Sequence, residues 1–185
     1  MSEMFAGTPR LTVLDLSNWD TSNVENMTYM FVASSALKTI YASEKFVTTK
    51  ATDVINSMFA YTALVGWQWT VYDWNHAGTD YAKIDGWPHN PWYFTQANSI
   101  RYDLDGWELQ HPKTAYAPIG SFTLSEPTKE WYTFIWWTGS NGDVPQREVT
   151  IQQWTIWDLE FTANSEINKH QIIFDTDGWE TLNPL

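Results

Sequence analysis

The sequence predicts an α+β chain: a short solenoid in which each repeat supplies one strand and one helix, followed by a small, mostly β module. Three observations predict it. The pair Met4-Phe5 returns as Met30-Phe31 and again as Met58-Phe59, and a unit that short cannot bury its apolar face alone, so the units must stack. Short apolar alternations recur at one place in each unit. Beyond residue 98 the pattern changes to brief β-type alternations separated by Pro, Gly and Asn, the signature of strands joined by turns.

The elements follow in order. Leu11, Val13, Leu14 and Leu16 read as the first strand, Leu37, Ile40 and Ala42 as the second, and Leu64 marks the third. Before each later Met-Phe pair the spacing predicts a helix: Val24, Met27, Met30 and Phe31 share one face, as do Val54, Met58 and Phe59. Thr21 or Ser22, and Thr52 or Asp53, stand where a helix N-cap belongs. These Met, Phe and Leu positions are core, because stacking already accounts for them. Residues 67–98, dense in Pro, Gly, Asp and Asn, read as a terminal cap and linker. A second period then begins. Ile100 to Glu108 recurs as Ile172 to Glu180, which makes 99–168 one complete module and 169–185 the truncated start of another. Within that module Phe122 to Leu124, Tyr132 to Ile135, Val149 to Ile151 and Leu159 to Ala163 are the expected strands.

Charge and residue usage limit what the chain can do. Ten Lys and Arg against 22 Asp and Glu give a formal net charge of -12, which repels phosphate backbones and anionic lipid surfaces. Nucleic acid is therefore not an expected partner. Cysteine is absent, so no disulfide, thiolate metal site or Cys nucleophile exists. No apolar run approaches the ~20 residues of a membrane span, and Met1-Ser2-Glu3 does not begin an export leader. Any signal or anchor is expected outside this chain.

Catalytic patterns do not emerge. His76, His89, His111 and His170 each sit in a different turn-like context without a second ligand at i+3 or i+4, and no nucleophile elbow, phosphate loop or His-Glu-x-x-His occurs. The strings from Asp103 to Gly106 and from Asp175 to Gly178 resemble the start of a calcium loop, but position twelve is Thr114 instead of a bidentate Glu. Asp-Gly there reads as a hairpin turn. The expectation is no enzyme, no metal and no cofactor.

Residues 14–27 with Tyr29-Met30-Phe31 resemble the BspA-type leucine-rich repeat of bacterial surface proteins, over residues 1–66. The second copy departs from the pattern at residues 41–46. Pro127 to Glu130 with Tyr132-Thr133-Phe134 and Trp137 resembles the Listeria/Bacteroides, or internalin B-type, repeat, which implies a β-grasp-like module serving as stalk or spacer. Together the resemblances imply an extracellular, cell-surface or secreted repeat protein. It would act in adhesion to a host or neighbouring-cell protein or glycan. Because Trp, Tyr and Phe make up 17% of the chain, and exposed rings stack on sugars, a carbohydrate-binding module is the alternative.

The tryptophans are unusual. There are 13, against only 9 glycines in a turn-rich chain, and Gly66, Gly86, Gly106 and Gly178 are each followed by Trp. The resembled families imply glycine at Trp67, Trp87, Trp107 and Trp179, and the same pattern extends to Trp69, Trp74, Trp92, Trp131, Trp136, Trp154 and Trp157. A UGA codon read as tryptophan in some bacteria and as glycine in others explains this, leaving Trp19 and Trp137 as true tryptophans. The indoles in question are then expected at turns and exposed surfaces, and Trp137 in the core.

Overall fold

Alternating apolar residues in short runs bounded by turn-formers favour extended chain, and the first two runs form strands. A computed structural model describes residues 1–51, 57–85 and 92–169. Strand β1 (Val13–Leu16) pairs in parallel with β2 (Thr39–Ala42), Val13 opposite Thr39 and Leu16 opposite Ala42. The register therefore equals the repeat length. Strand β3 (Phe94–Gln96), from the stretch read as cap and linker, adds to the far edge of β2 with Ile40 opposite Phe94. Leu64 is buried but forms no strand, and its neighbour Val65 bridges Val71 across a tight loop.

Between the strands the chain turns instead of coiling. Among the described residues there is no α-helix, and the one helical element is a three-residue 3-10 turn, Thr79–Tyr81. The fold is essentially all β, which corrects the α+β expectation and its leucine-rich-repeat solenoid of strand plus helix. The physical reason is local. The side-chain oxygens of Asp20 and Asn26 accept from the N–H groups of Ser22 and Thr28, each at 2.9 Å, short Asx turns that compete with helix formation. Val24, Met30, Val32 and Ser34 donate to carbonyls three residues back, and Tyr29 and Ala33 take left-handed φ values of 58°, which end any helical run. Other N–H groups point sideways: Phe5 donates to the Met30 carbonyl, Phe31 to that of Met58 and Ala33 to that of Ala60. The i, i+3, i+4 spacing of Met27, Met30 and Phe31 thus comes from consecutive β-turns. Thr21 is no helix cap, since its hydroxyl both donates to the Val47 carbonyl and accepts from the Val47 N–H, at 2.7 Å each. Thr52, Asp53 and Val54 lie outside the described residues.

The repeated phenylalanines form the spine of this core. Phe5 stacks on Phe31 at 5.7 Å and Phe31 on Phe59 at 5.4 Å, nearly parallel, and Phe94 and Tyr93 close the stack edge-on against Phe59. Such ring pairs add about 0.5–1.5 kcal/mol each beyond area burial. Leu16, Met27, Met30, Leu37, Ile40 and Met58 fill the space around them with no exposed surface. One polar rung runs beside the rings: buried Ser34 donates to the Phe5 carbonyl at 2.6 Å and shares a hydroxyl contact with Thr8 at 2.8 Å.

The second core surrounds a five-stranded mixed sheet in the order β5-β4-β10-β7-β8. Its strands are β4 (Asn98–Asp103), β5 (Ala115–Tyr116), β7 (Tyr132–Gly139), β8 (Gly142–Gln146) and β10 (Leu159–Ile167). Here β10 runs parallel to β4 and antiparallel to β7. The pair β6 (Phe122–Thr123) and β9 (Thr150–Ile151) carries Phe122 and Ile151, which pack with Leu124 and Val149 against this core. A β-grasp lays a helix across its sheet; here short strands take that place, which corrects the β-grasp-like expectation. Phe134 and Trp137 both face inward because a bulge in the β7–β10 pairing, between Asn164 and Ser165, shifts the alternation.

Asp105 and Gly106 adopt φ values of 40° and 80°, and the Trp107 N–H closes the turn on the Leu104 carbonyl at 2.8 Å. The turn is tight, but the chain leaving it at Glu108 pairs with Thr128 and not with β4. The second copy of this string, at 175–178, and the expected strand at Ile172 lie outside the described residues. Trp137 is fully buried, as its position in the strand pattern predicts. Trp67, Trp69, Trp74, Trp131, Trp136, Trp154 and Trp157 are exposed. Trp107 differs from the expectation: it is buried, edge-on to Phe134 at 6.0 Å. Trp92 is half-buried under the Lys83 ammonium, and Trp87 and Trp179 lie outside the described residues.

Candidate binding surface

The two cores meet where the chain passes directly from β3 into β4, and the join is made by side chains as well as backbone. Asn18, just beyond β1, donates to the Ala115 carbonyl at 2.7 Å and accepts from the N–H groups of Thr114 and Ala115 at 3.1 and 3.3 Å. One amide side chain thus satisfies the open edge of β5 as a neighbouring strand would. Lys45 adds a bond to the Thr114 hydroxyl at 2.9 Å, and the Ala97 N–H donates to the Ala42 carbonyl.

A cleft opens on each side of this join. The first, about 480 Å³, is floored by Asp15, Ser17, Asn18 and Trp19 and walled by His111 and Lys113. The second, about 580 Å³, sets Tyr41, Trp67, Ile156 and Trp157 around Gln96, Asn98 and Asp158. Trp67, Ile156 and Trp157 are all more than half exposed there. The polar floor is fixed. Asp158 accepts the Ser99 N–H at 2.6 Å, and Asn98 donates to the Thr155 carbonyl at 3.3 Å. The Ser99 hydrogen bonds hold the Asp158 carboxyl below its ordinary value, with a smaller pull from Arg101. Behind it Tyr116, whose hydroxyl donates to the Trp157 carbonyl at 2.6 Å, is pushed up to about 12 by burial and by the Asp158 charge. The result is an apolar rim over an acidic floor.

A buried carboxylate sets one wall. Asp85 is 1% exposed and accepts from the N–H groups of Gln68 and Thr70 at 2.9 and 3.2 Å and from the Thr70 hydroxyl at 2.8 Å. These bonds hold the loop that presents Trp67. Gly66 permits it, since a Cβ there would run into Asp85 and the Trp92 carbonyl.

The residues weighed for chemistry stay apart. His76 pairs with Asp73 at 2.9 Å on the surface, whose carboxyl is lowered first by the Asn75 backbone. His111 lines the first cleft at a left-handed φ of 50°. His89 and His170 lie outside the described residues. Among the described residues no three His, Cys, Asp or Glu side chains converge as metal ligands, and no helix is long and apolar enough to cross a membrane. Sequence reasoning missed Asn18, Asp85 and Ile156. Asn18 had no signal beyond being a turn-former, whereas an Ile between turn residues was visible as an apolar side chain without a periodic partner.

Over residues 1–83 the chain is similar to a family described as Mycoplasma protein of unknown function, DUF285. No curated protein and no solved structure matches it. This match, with the absence of any α-helix among the described residues, overturns the BspA-type leucine-rich-repeat and internalin B-type assignments.

Proposed function

We propose that the chain is a bacterial cell-surface or secreted protein that works by adhesion, binding a protein on a host or neighbouring cell, with the second β module acting as stalk or spacer. No catalysis, cofactor or nucleic acid enters this reading. The observation that carries it is the cleft at the join, where Ile156 and Trp157 stand out into solvent beside Trp67 over fixed polar groups. Exposed aromatic and aliphatic side chains around satisfied polar atoms are how protein hot spots are built. Ile156 suits a protein partner better than a sugar, and the acidic chain favours a neutral or basic one.

A glycan is the second reading, favoured by two indoles on one cleft, since rings stack on sugar faces. Beads coated with the chain and applied to cells separate the two. Binding lost after protease treatment of the cells and kept after glycosidase treatment supports the protein partner. The reverse supports the glycan. Turnover of any substrate that depends on one side chain of this surface overturns both.

A further inference from the structure

Three tryptophans occupy backbone positions that belong to glycine. Among the described residues, nine non-glycine residues have left-handed φ, and three of them are Trp69 (69°), Trp131 (67°) and Trp154 (72°). Trp69 ends a three-residue hairpin loop: its N–H donates to the Gly66 carbonyl at 3.0 Å, and the Gly66 N–H donates to the Thr70 carbonyl at 2.8 Å. That pattern is a turn followed by a left-handed bulge residue, where glycine is the standard occupant. Trp131 is third in a turn closed by the Tyr132 N–H on the Lys129 carbonyl, and Trp154 is third in a turn closed by the Thr155 N–H on the Gln152 carbonyl. A positive φ at the third residue alone defines a type II turn, which calls for glycine.

All three side chains are mostly exposed. Their exposures are 83%, 62% and 71%, so each indole strains the backbone and leaves most of its apolar area in water. Tyr29, Ala33 and Tyr61 also turn left-handed, and Tyr29 and Tyr61 are exposed as well, but there the carbonyl of the residue before each accepts from an N–H of the adjacent repeat. Trp19, packed on Phe5 at 5.9 Å, and Trp137, fully buried, lie at ordinary φ and behave as true aromatic positions.

We infer that the native chain carries glycine at positions 69, 131 and 154. The chemistry requires only that one codon, UGA, be read as glycine by the source cell and as tryptophan elsewhere. Positions 19 and 137 are then encoded by UGG. The inference concerns these three turns and is tested apart from the cleft reading, which rests on Trp67, Ile156 and Trp157.

Peptide mass spectrometry of the protein isolated from its source cells decides the matter. The expected result is peptides covering 69, 131 and 154 each lighter by an indolylmethyl group, with 19 and 137 at full tryptophan mass. Tryptophan at the three turn positions overturns the inference, as do UGG codons there. A second measurement reads the backbone itself. In the chain as written, W69G, W131G and W154G should each raise the thermal midpoint, whereas W137G should lower it. A fall in midpoint for all three turn variants contradicts the glycine geometry.

Discussion

At the scale of single residues, the buried polar groups make the sharpest predictions. Asp85 is a carboxylate inside the protein whose stability rests on three donors. Removing it leaves the donors of Gln68 and Thr70 without their buried acceptor. Asp85→Ala should cost about 3 kcal/mol in urea unfolding and Asp85→Asn less, because an amide keeps one acceptor. The tyrosines give a pH prediction. Tyr93 and Tyr102 are pushed up to about 12 mainly by burial, as is Tyr116. The folded state therefore holds these protons more tightly than the unfolded chain does. Their contribution is complete below the ordinary value of 10.0 and is lost as pH rises from there toward about 12. Tyrosinate absorbance should show these three tyrosines, and Tyr41 and Tyr72 whose values burial also raises, ionising late, together with loss of the folded circular dichroism signal. Asp158 acts at the other end: its lowered carboxyl contributes above 3.8 and stops contributing as pH falls through its folded value. Being exposed, it adds little to stability, so its protonation should be felt as a change in the cleft floor.

At the scale of elements, the recurrence of Met-Phe was legible, and it governs the fold: strands lie in register one repeat apart, and the three phenylalanines stack. Phe31, the middle ring, is fully buried between two others. Phe31→Ala should cost about 3–5 kcal/mol by thermal or denaturant unfolding, and Phe31→Leu clearly less. What was not legible was how the chain travels between strands. Helical periodicity and a string of β-turns both bring Val24, Met27, Met30 and Phe31 to one side, and the deciding bonds come from Asp20, Asn26 and the adjacent repeat. Those sideways bonds are non-local and leave no periodic trace. Strand β7 shows the same limit. The sequence marks Tyr132 to Ile135 as a strand, but only a bulge set by β10 explains why Phe134 and Trp137 share a face. Trp107 was misplaced for a related reason, since its burial depends on Phe134 and Tyr132 arriving from another strand.

At the scale of the whole molecule, two cores are joined through Asn18 and its bonds to residues 114 and 115. Asn18→Ala should leave both cores intact while lowering protection of the Ala115 amide from hydrogen exchange. Circular dichroism of the whole chain should show a β spectrum with little helical signal. The candidate surface was only partly legible: the sequence showed exposed aromatics in excess, but the cleft is assembled from residues 41, 67, 96–98 and 156–158, which no linear pattern connects. Under the proposed function this cleft carries binding. The most direct test compares cell binding by Ile156→Asp with that by Val144→Asp, an equally exposed change on β8 away from the join. Ile156→Asp should lose at least tenfold in affinity while Val144→Asp binds as the unaltered chain does. Unchanged binding by Ile156→Asp, with both variants folded, would contradict it.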